Sequence, residues 1–244
     1  MRIDVYLFSH GYCKSREEAR KLIKSNYVKC GGTVIAKPSY DVTDGIELEV
    51  INPFKYVSRG GDKLEAALES FKIDLNGCVC ADIGASTGGF TDCLLQNGAV
   101  RVYAIDSGKE QLDSKLKSDA RVISMENVNA RYLRSYDLAE MCDVCVMDVS
   151  FISQTLIHPS VNEILKDGGY FITLIKPQFE VGKQNIRKGG IVKDEKAREF
   201  AKDKVISSAQ LNNLEFIGCI TSPIKGGDGN IEYLALFKKI NKDL

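Results

Sequence analysis

Short apolar runs alternate with helix-like segments along the chain from residue 78 onward. Near-continuous apolar runs are typical of strands buried on both faces of a parallel sheet, and apolar residues repeating every three or four positions are typical of helices. The alternation therefore predicts an α/β domain with a mostly parallel sheet. The strands are expected near residues 79–83, 101–105, 121–125, 143–148, 169–175, 215–221 and 231–238, and the helices near 89–97, 110–117, 154–166 and 194–212.

The last two predicted strands have no helical segment between them. Residues 223–230, three of which are glycine, join them instead. Because a parallel connection needs a long crossover, these two strands are predicted to pair as an antiparallel hairpin.

The first fifty residues show a different pattern, made of short elements. Ile3 and Leu7 are spaced for one face of a helix, and Gly11 can end it. Ser15 and Glu18 have the spacing of a capping box, in which the serine accepts a hydrogen bond from the glutamate N–H. The second helix is expected to bury Ala19, Leu22 and Ile23, and strand-like segments follow at 27–30, 33–35 and 46–50.

A basic stripe lies along the second predicted helix. Arg16, Arg20 and Lys24 recur every four residues and therefore share one helix face. Between Lys14 and Lys37 there are seven Lys or Arg residues against two Glu. Charge alone does not distinguish such a stripe from an ordinary solvated helix face.

A boundary between two domains is predicted around Pro53, because proline disfavours helix in the residue before it and ends a strand. The first domain is expected over residues 1–51, a linker over 52–55 and the larger domain over 56–244. The larger domain opens with a segment, residues 64–71, that has the apolar spacing of a helix.

Composition limits the possible classes of protein. A chain of 244 residues with 44% hydrophobic residues can hold one large and one small domain, and its formal net charge of +0 provides no global attraction to nucleic acid. The longest apolar runs are far too short to span a membrane, and the N-terminus lacks the apolar core of a signal peptide. The eight cysteines are therefore expected to be reduced thiols of a cytoplasmic protein.

The pair Cys142 and Cys145 has the spacing of half a zinc or redox site. The pair lies within a predicted strand, and the sequence has no second matching pair. Both residues are therefore expected to be small buried hydrophobes, and no metal site is predicted.

A glycine-rich turn over Gly84–Phe90 follows the first strand of the larger domain. A strand, a tight turn and a helix N-terminus place backbone N–H groups where they can meet a nucleotide-like ligand. The spacing lacks the G-x-G start of the dinucleotide fingerprint, and no P-loop lysine follows. A turn of this kind also occurs in α/β proteins without any ligand.

Ionisable residues stand at the carboxyl ends of several predicted strands, where open α/β sheets bind ligands. They are Asp82, Asp106, Glu126, Asp148 and Lys176. Asp106 stands about 20 residues after the glycines, where a carboxylate can accept hydrogen bonds from ribose hydroxyls. The convergence of these groups on one sheet edge predicts a binding or catalytic site there.

The segments A-D-I-G-A-S-T-G-G-F and A-I-D-S-G resemble the first two motifs of S-adenosylmethionine-dependent methyltransferases. Lys63, Asp148, Lys176 and Glu232 match the Lys-Asp-Lys-Glu tetrad of the FtsJ-like 2′-O-methyltransferases. The frame R-I-D-x-x-L, S-R-E-E-A-R and G-G-T-V over residues 1–50 is similar to the S4 RNA-binding domain. Together these motifs resemble the TlyA family of rRNA (cytidine-2′-O)-methyltransferases.

This resemblance implies a Rossmann-like methyltransferase fold and S-adenosylmethionine as the cofactor. By the same resemblance, residues Gly84, Ala85, Ser86, Thr87, Gly88, Gly89 and Phe90 hold the donor, together with Asp106 at its ribose, Glu126 or Asn127 at its adenine and Asp148 near its methionine. Lys176 takes the proton of the 2′-hydroxyl, Lys63 orients that hydroxyl, and Asp148 and Glu232 hold the two lysines.

The resemblance also implies ribosomal RNA or ribosomal subunits as the partner. The residues expected to contact RNA are Arg16, Arg20, Lys24, Arg59, Lys183, Arg187 and Lys188. Such contacts would go mainly to phosphates and position the enzyme without reading sequence.

Three other functions are compatible with parts of the sequence. An RNA-binding or ribosome-assembly factor would need only the S4-like segment. A pseudouridine synthase can carry the same segment, but its chemistry uses no nucleotide cofactor, which the glycine turn and Asp106 disfavour. A membrane-active haemolysin would need a secretion signal or an amphipathic membrane segment.

Overall fold

The computed structural model describes residues 1–13, 15–24, 26–43, 45–50, 55–187, 189–226 and 229–241. The chain divides into two compact units, residues 1–55 and 56–244. The predicted domain end at residue 51 and three residues of the predicted linker, 52–54, lie outside the described residues.

The small unit contains two helices and a three-stranded antiparallel sheet in the order β2-β1-β3. The N–H of Glu18 donates to Ser15 Oγ at 3.1 Å, as the capping-box pattern predicted. Ala19, Leu22 and Ile23 are fully buried, which confirms the inner face of the second helix. The elements are α1 (Ile3–Ser9), α2 (Arg16–Lys24), β1 (Val28–Cys30), β2 (Thr33–Val34) and β3 (Leu48–Val50).

The large unit is built on a seven-stranded sheet with the order β6-β5-β4-β7-β8-β10-β9. Strands β6, β5, β4, β7 and β8 pair in parallel, whereas β10 runs antiparallel to both β8 and β9. The predicted hairpin of the last two strands is confirmed. The strands are β4 (Val79–Ile83), β5 (Arg101–Ile105), β6 (Val122–Met125), β7 (Cys142–Met147), β8 (Leu165–Ile175), β9 (Leu214–Thr221) and β10 (Tyr233–Lys239).

Successive strand residues point to opposite sides of the sheet. Both sides carry buried apolar residues, and helices cover both faces. In β4, Cys80 packs into the core under α3 and α4, whereas Ala81 packs into the core under α6 and α8. Cys142 and Cys145 are buried in β7, as predicted. The helices are α3 (Gly60–Phe71), α4 (Gly89–Gln96), α5 (Ser114–Lys117), α6 (His158–Ile164), α7 (Pro177–Glu180) and α8 (Glu195–Leu211), with 3₁₀ turns at Ala130–Tyr132, Ser135–Asp137, Gln154–Leu156 and Lys183–Asn185.

Two predicted helices differ from those observed. The helix expected over 110–117 is reduced to α5, because Glu110 adopts a left-handed conformation (φ 56°) and Asp113 caps the N-terminus by accepting from the Lys115 N–H. The helix expected over 154–166 begins as a 3₁₀ turn and ends at Ile164. Leu165 already pairs with β7, so β8 starts four residues earlier than predicted.

Among the described residues, no helix is both long enough and apolar enough to cross a bilayer. The described residues also contain no cluster of three or more His, Cys, Asp or Glu side chains that could hold a metal ion.

Candidate active site

The strand directions of the sheet bring distant residues to one edge. Because β4, β5, β7 and β8 are parallel, the residues that follow them lie at the same edge of the sheet. Strand β10 runs the other way, and its first residue, Tyr233, pairs with Ile175, the last residue of β8. Glu232, just before β10, is therefore placed beside Lys176, just after β8.

Four residues form two ion pairs at this edge. Lys63 Nζ donates to Glu232 Oε2 at 2.7 Å, and both side chains are buried, with 9% and 2% of their residue surfaces exposed. Lys176 Nζ lies 2.6 Å from Asp148 Oδ1 and donates to Ser150 Oγ at 2.8 Å. The structure thus brings together the four residues of the predicted tetrad, each lysine with its own carboxylate.

The glycine-rich turn lines the same cavity as three of these four residues. Gly84 has φ 86°, and a Cβ there would lie 2.6 Å from the backbone oxygen of Asp148, so glycine lets the ends of β4 and β7 approach closely. Residues 84–87 line a cavity of about 300 Å³ together with Lys63, Asp148 and Lys176. Gly89 and Phe90 also line it.

A second cavity, of about 470 Å³, shares Gly84, Ser86, Asp148 and Ser150 with the first. Asp106 lies in its wall and accepts hydrogen bonds from the Ser86 N–H (2.8 Å) and the Gly108 N–H (2.7 Å). Apolar residues, among them Ile105, Val128 and Ala130, also line it, as do Gln111 and Asn129. A carboxylate at one side and apolar walls at the other suit a nucleoside.

Three predicted donor-binding residues are not among the described residues that line the two cavities. Glu126 accepts from the Glu110 N–H at 2.7 Å and pairs with Lys117 at 2.9 Å. Neither Glu126 nor Asn127 is among the described residues that line either cavity, and the positions next along the chain, 128–130, line the second one. A Cβ on Gly88 would lie 2.2 Å from Leu116 Cδ1, so this glycine serves the packing of α4 against α5.

Asp82 was predicted to face the site, but it is fully buried within β4. Burial raises the pKa of Asp82 to about 7, and the charges of Asp148 and Asp106 add to this rise, whereas the hydrogen bond from Thr91 Oγ1 at 2.6 Å opposes it. Ionising Asp82 in the folded protein therefore costs free energy.

This burial predicts an unusual pH dependence of stability. The carboxyl of Asp82 ionises near pH 4 in the unfolded chain and near pH 7 in the fold, so its contribution to stability falls as pH rises between these values. Asp82→Asn cannot ionise, and its free energy of unfolding should rise relative to the wild type by up to roughly 4 kcal/mol across this window. Urea unfolding at a series of pH values measures the difference.

His158 provides a control of opposite sign. Burial lowers its pKa to about 4, so the wild type loses stability as pH falls from about 6.5 to 4. His158→Gln should therefore gain relative stability toward low pH. If the stability difference between Asp82→Asn and the wild type did not change with pH, Asp82 would ionise at the same pH in the folded protein as in the unfolded chain.

The residues predicted to contact RNA lie in both units. Arg59 is exposed and lines the first cavity, and Arg187 is exposed on the segment after α7. Arg16 and Arg20 are half-exposed on α2 and bind Asp4, and Lys24 is exposed at the end of α2. Lys188 and the side chain of Lys183 lie outside the described residues.

Several polar residues near the tetrad were not predicted. Ser150 accepts from Lys176, and Gln178 Nε2 donates to Glu232 Oε1 at 3.3 Å. Glu180 is buried and accepts from Ser153 Oγ (2.5 Å) and the Gln154 N–H (2.9 Å), which ties the segment after β7 to α7. Ser150, Gln178 and Glu180 each stand within six residues of the end of β7 or β8. This proximity to a strand end was the signal in the sequence that could have identified them.

Phe151 was also not among the predicted site residues. The residue is 93% exposed, and its backbone has φ 65°, which is rare for an aromatic residue. It lines the second cavity, and its ring lies 5.3 Å from that of Phe179.

Comparison with known proteins gives two family matches. Residues 56–239 match the model of the FtsJ-like methyltransferases, and residues 1–48 match the S4 domain. Similar proteins include Hemolysin A of Brachyspira hyodysenteriae, 44% identical over 97% of this chain and 99% of that protein. Another is the 16S/23S rRNA (cytidine-2′-O)-methyltransferase TlyA of Mycobacterium tuberculosis strain H37Rv, 39% identical over 95% of this chain and 87% of that protein.

Solved structures give the same picture of the fold. A structure described as a candidate hemolysin from Streptococcus thermophilus is 42% identical, with a TM-score of 0.78 over 99% of this chain and 89% of that one. Aeropyrum pernix fibrillarin, solved with S-adenosyl-L-methionine, is 16% identical, with a TM-score of 0.54 over 80% of each chain. At that low identity the second likeness concerns the fold alone.

Proposed function

Because this chain belongs to the FtsJ-like methyltransferase family, we propose that it transfers a methyl group from S-adenosylmethionine to a ribose 2′-hydroxyl of ribosomal RNA, that of a cytidine. The observation that carries the proposal is the assembly of the ion pairs Lys63–Glu232 and Lys176–Asp148, whose two lysines and Asp148 line one cavity with the glycine turn. Because ribosomal RNA is the substrate, the reaction belongs to the cytoplasm.

The second cavity fits the nucleoside part of the donor. Asp106 would accept from the ribose hydroxyls, and the apolar side chains of Ile105, Val128 and Ala130 would contact the adenine. Gly84 and Asp148 line both cavities, and the methionine part of the donor would lie at this junction.

The bound donor supplies an activated methyl group. The chain must then hold the 2′-oxygen in line with that group and remove its proton as the new C–O bond forms and the C–S bond breaks. A lysine accepts a proton only in its neutral form.

Lys176 is the proposed acceptor of this proton, because it lines the first cavity and contacts both Asp148 and Ser150. Lys63 lines the same cavity and would orient the hydroxyl. Glu232, held by Lys63 and Gln178, fixes the position of Lys63.

Transfer to RNA tests the proposal directly. Ribosomal subunits from a strain that lacks the gene would be incubated with purified protein and labelled donor, and 2′-O-methyl marks would be mapped on the rRNA. A new mark on a cytidine ribose is expected. Binding to rRNA without transfer would identify an RNA-binding or assembly factor instead, and lysis of erythrocytes by the purified protein would support a haemolysin.

Replacement of Asp106 should weaken donor binding. In Asp106→Ala the ribose loses a charged hydrogen-bond acceptor, so affinity for S-adenosylmethionine should fall roughly ten- to hundred-fold. Isothermal titration calorimetry measures the affinity, and Glu126→Gln is the matched control, because Glu126 pairs with Lys117 outside the cavity lining. Equal loss in both variants would place the ribose elsewhere.

A further inference from the structure

One buried carboxylate of the small unit binds three arginines. Arg2 contacts both oxygens of Asp4, through Nε to Oδ1 at 3.0 Å and Nη2 to Oδ2 at 3.3 Å. Arg16 Nη2 reaches Oδ2 at 3.2 Å, and Arg20 Nε reaches the same oxygen at 3.0 Å. Asp4 lies in the first turn of α1, and two of its partners lie one turn apart on α2.

The burial of these groups is strongly asymmetric. The side chain of Asp4 is 0% exposed, whereas those of Arg2, Arg16 and Arg20 are 47%, 48% and 49% exposed. Each guanidinium has five N–H donors and gives only one or two of them to Asp4. The carboxylate therefore lies beneath three arginines whose outer sides meet solvent.

The carboxylate stays ionised under all physiological conditions. Burial alone would raise the pKa of Asp4, but the hydrogen bonds from Arg2, Arg20 and Arg16 outweigh it and lower the pKa to about 2. Three cations around one anion leave a net charge of +2 on this surface.

Three arginines this close would repel one another and move apart if nothing held them. Asp4 offsets that repulsion and also fixes the direction of each planar guanidinium, since charge-assisted hydrogen bonds to a carboxylate are short and directional. Guanidinium groups that are already oriented lose less conformational entropy when they bind phosphate.

We propose that Asp4 is a positioning residue that holds Arg2, Arg16 and Arg20 as a single surface for the phosphates of RNA. The inference rests on the proposed function for its ligand. It adds Arg2 to the predicted basic stripe. It also makes the RNA affinity of the small unit depend on Asp4, a negatively charged residue that does not itself contact the RNA.

The variant Asp4→Asn separates this proposal from a simple effect of charge. It removes a negative charge, so a purely electrostatic surface would bind RNA more tightly. If Asp4 positions the arginines, affinity should instead fall about ten-fold, and the slope of log K against log salt should become shallower by about one. Filter binding of total rRNA from the deletion strain to the full-length protein, over a series of potassium chloride concentrations, measures both.

The matched control is Glu17→Gln. It removes the same charge from the same unit, but Glu17 is exposed and pairs with Lys21 on the solvent side of α2. This variant should bind RNA as well as the wild type or slightly better. Equal or tighter binding by Asp4→Asn would overturn the positioning role.

Two further measurements exclude trivial explanations. Asp4→Asn should raise the KM for rRNA and leave kcat and donor affinity unchanged.

If thermal unfolding shows that this variant has lost the fold of the small unit, the triple variant Arg2→Lys, Arg16→Lys and Arg20→Lys decides, because it keeps every charge and Asp4. Weaker RNA binding by the triple variant supports the proposal, and wild-type binding overturns it.

Wild-type methyl transfer to the same rRNA and to ribosomal subunits from the deletion strain is measured in parallel. Absence of transfer by the wild type would refute the proposed function. Normal transfer by the wild type with undiminished binding by Asp4→Asn would refute only the role of Asp4.

Discussion

Replacing Lys176 by alanine should abolish methyl transfer while leaving folding, donor binding and RNA binding intact. Lys176 lines the first cavity, with 13% of its side chain exposed, and contacts Asp148 at 2.6 Å. Asp148 is the more exposed member of the pair, so water can solvate its charge once the lysine is gone. Loss of a general base typically lowers the rate about 10²- to 10⁴-fold.

The variant Lys176→Arg distinguishes a general base from a residue that supplies only a positive charge. A guanidinium keeps the positive charge but stays protonated, so it cannot accept the proton of the 2′-hydroxyl. We therefore expect Lys176→Arg to be nearly as inactive as Lys176→Ala. If Lys176 served only to contact a phosphate, arginine would replace it well.

Single-turnover transfer at saturating RNA and donor is the appropriate measurement, because binding and product release then do not mask the chemical step. Should Lys176→Arg retain most of the wild-type rate under these conditions, Lys176 is not the base. The proton would then have to pass to Lys63 or to another acceptor.

Replacing Lys63 by methionine should both destabilise the protein and stop transfer. Glu232 would remain at 2% exposure with Gln178 as its hydrogen-bond donor, and an unpaired buried charge typically costs about 3–5 kcal/mol. Urea unfolding measures this cost. The control Lys166→Met removes a lysine from the half-exposed Lys166–Asp143 pair of the same unit, where the loss should be about 0–1 kcal/mol.

The double variant Lys63→Met with Glu232→Gln separates stability from chemistry. Removal of both charges takes away the buried unpaired carboxylate, so much of the lost stability should return. Methyl transfer should not return, because the hydroxyl still lacks the amine that orients it. Recovery of transfer in the double variant would mean that the Lys63–Glu232 pair has only a structural role.

Local patterns were enough to predict most elements of the fold. The apolar runs predicted the strands of the large unit, since a strand buried on both faces needs a continuous run of apolar residues. The capping box of Ser15 and Glu18 located the start of α2, because its hydrogen bond joins residues three apart. The glycine turn and Asp106 were recognisable for the same reason: they adjoin strands that are themselves local patterns.

The pairing of the tetrad depended on the tertiary structure. Lys63 and Glu232 are separated by 169 positions, and no periodicity in the chain relates them. Glu232 precedes its strand, and it reaches the edge formed by strand ends only because β10 runs antiparallel to β8. Its place in the site came from family resemblance, and the sheet topology supplies the physical reason.

By itself, then, the sequence determined the two-part organisation, the alternating elements and the residues available at the strand ends, because each depends on neighbours within a few positions. Only the tertiary structure decided which of these side chains face the cavities. Asp82 turned out to be buried, Glu126 binds Lys117, and Arg16 and Arg20 bind Asp4 of another helix. The reason is that burial and charge pairing depend on what lies across the fold, and such contacts leave no regular spacing in the chain.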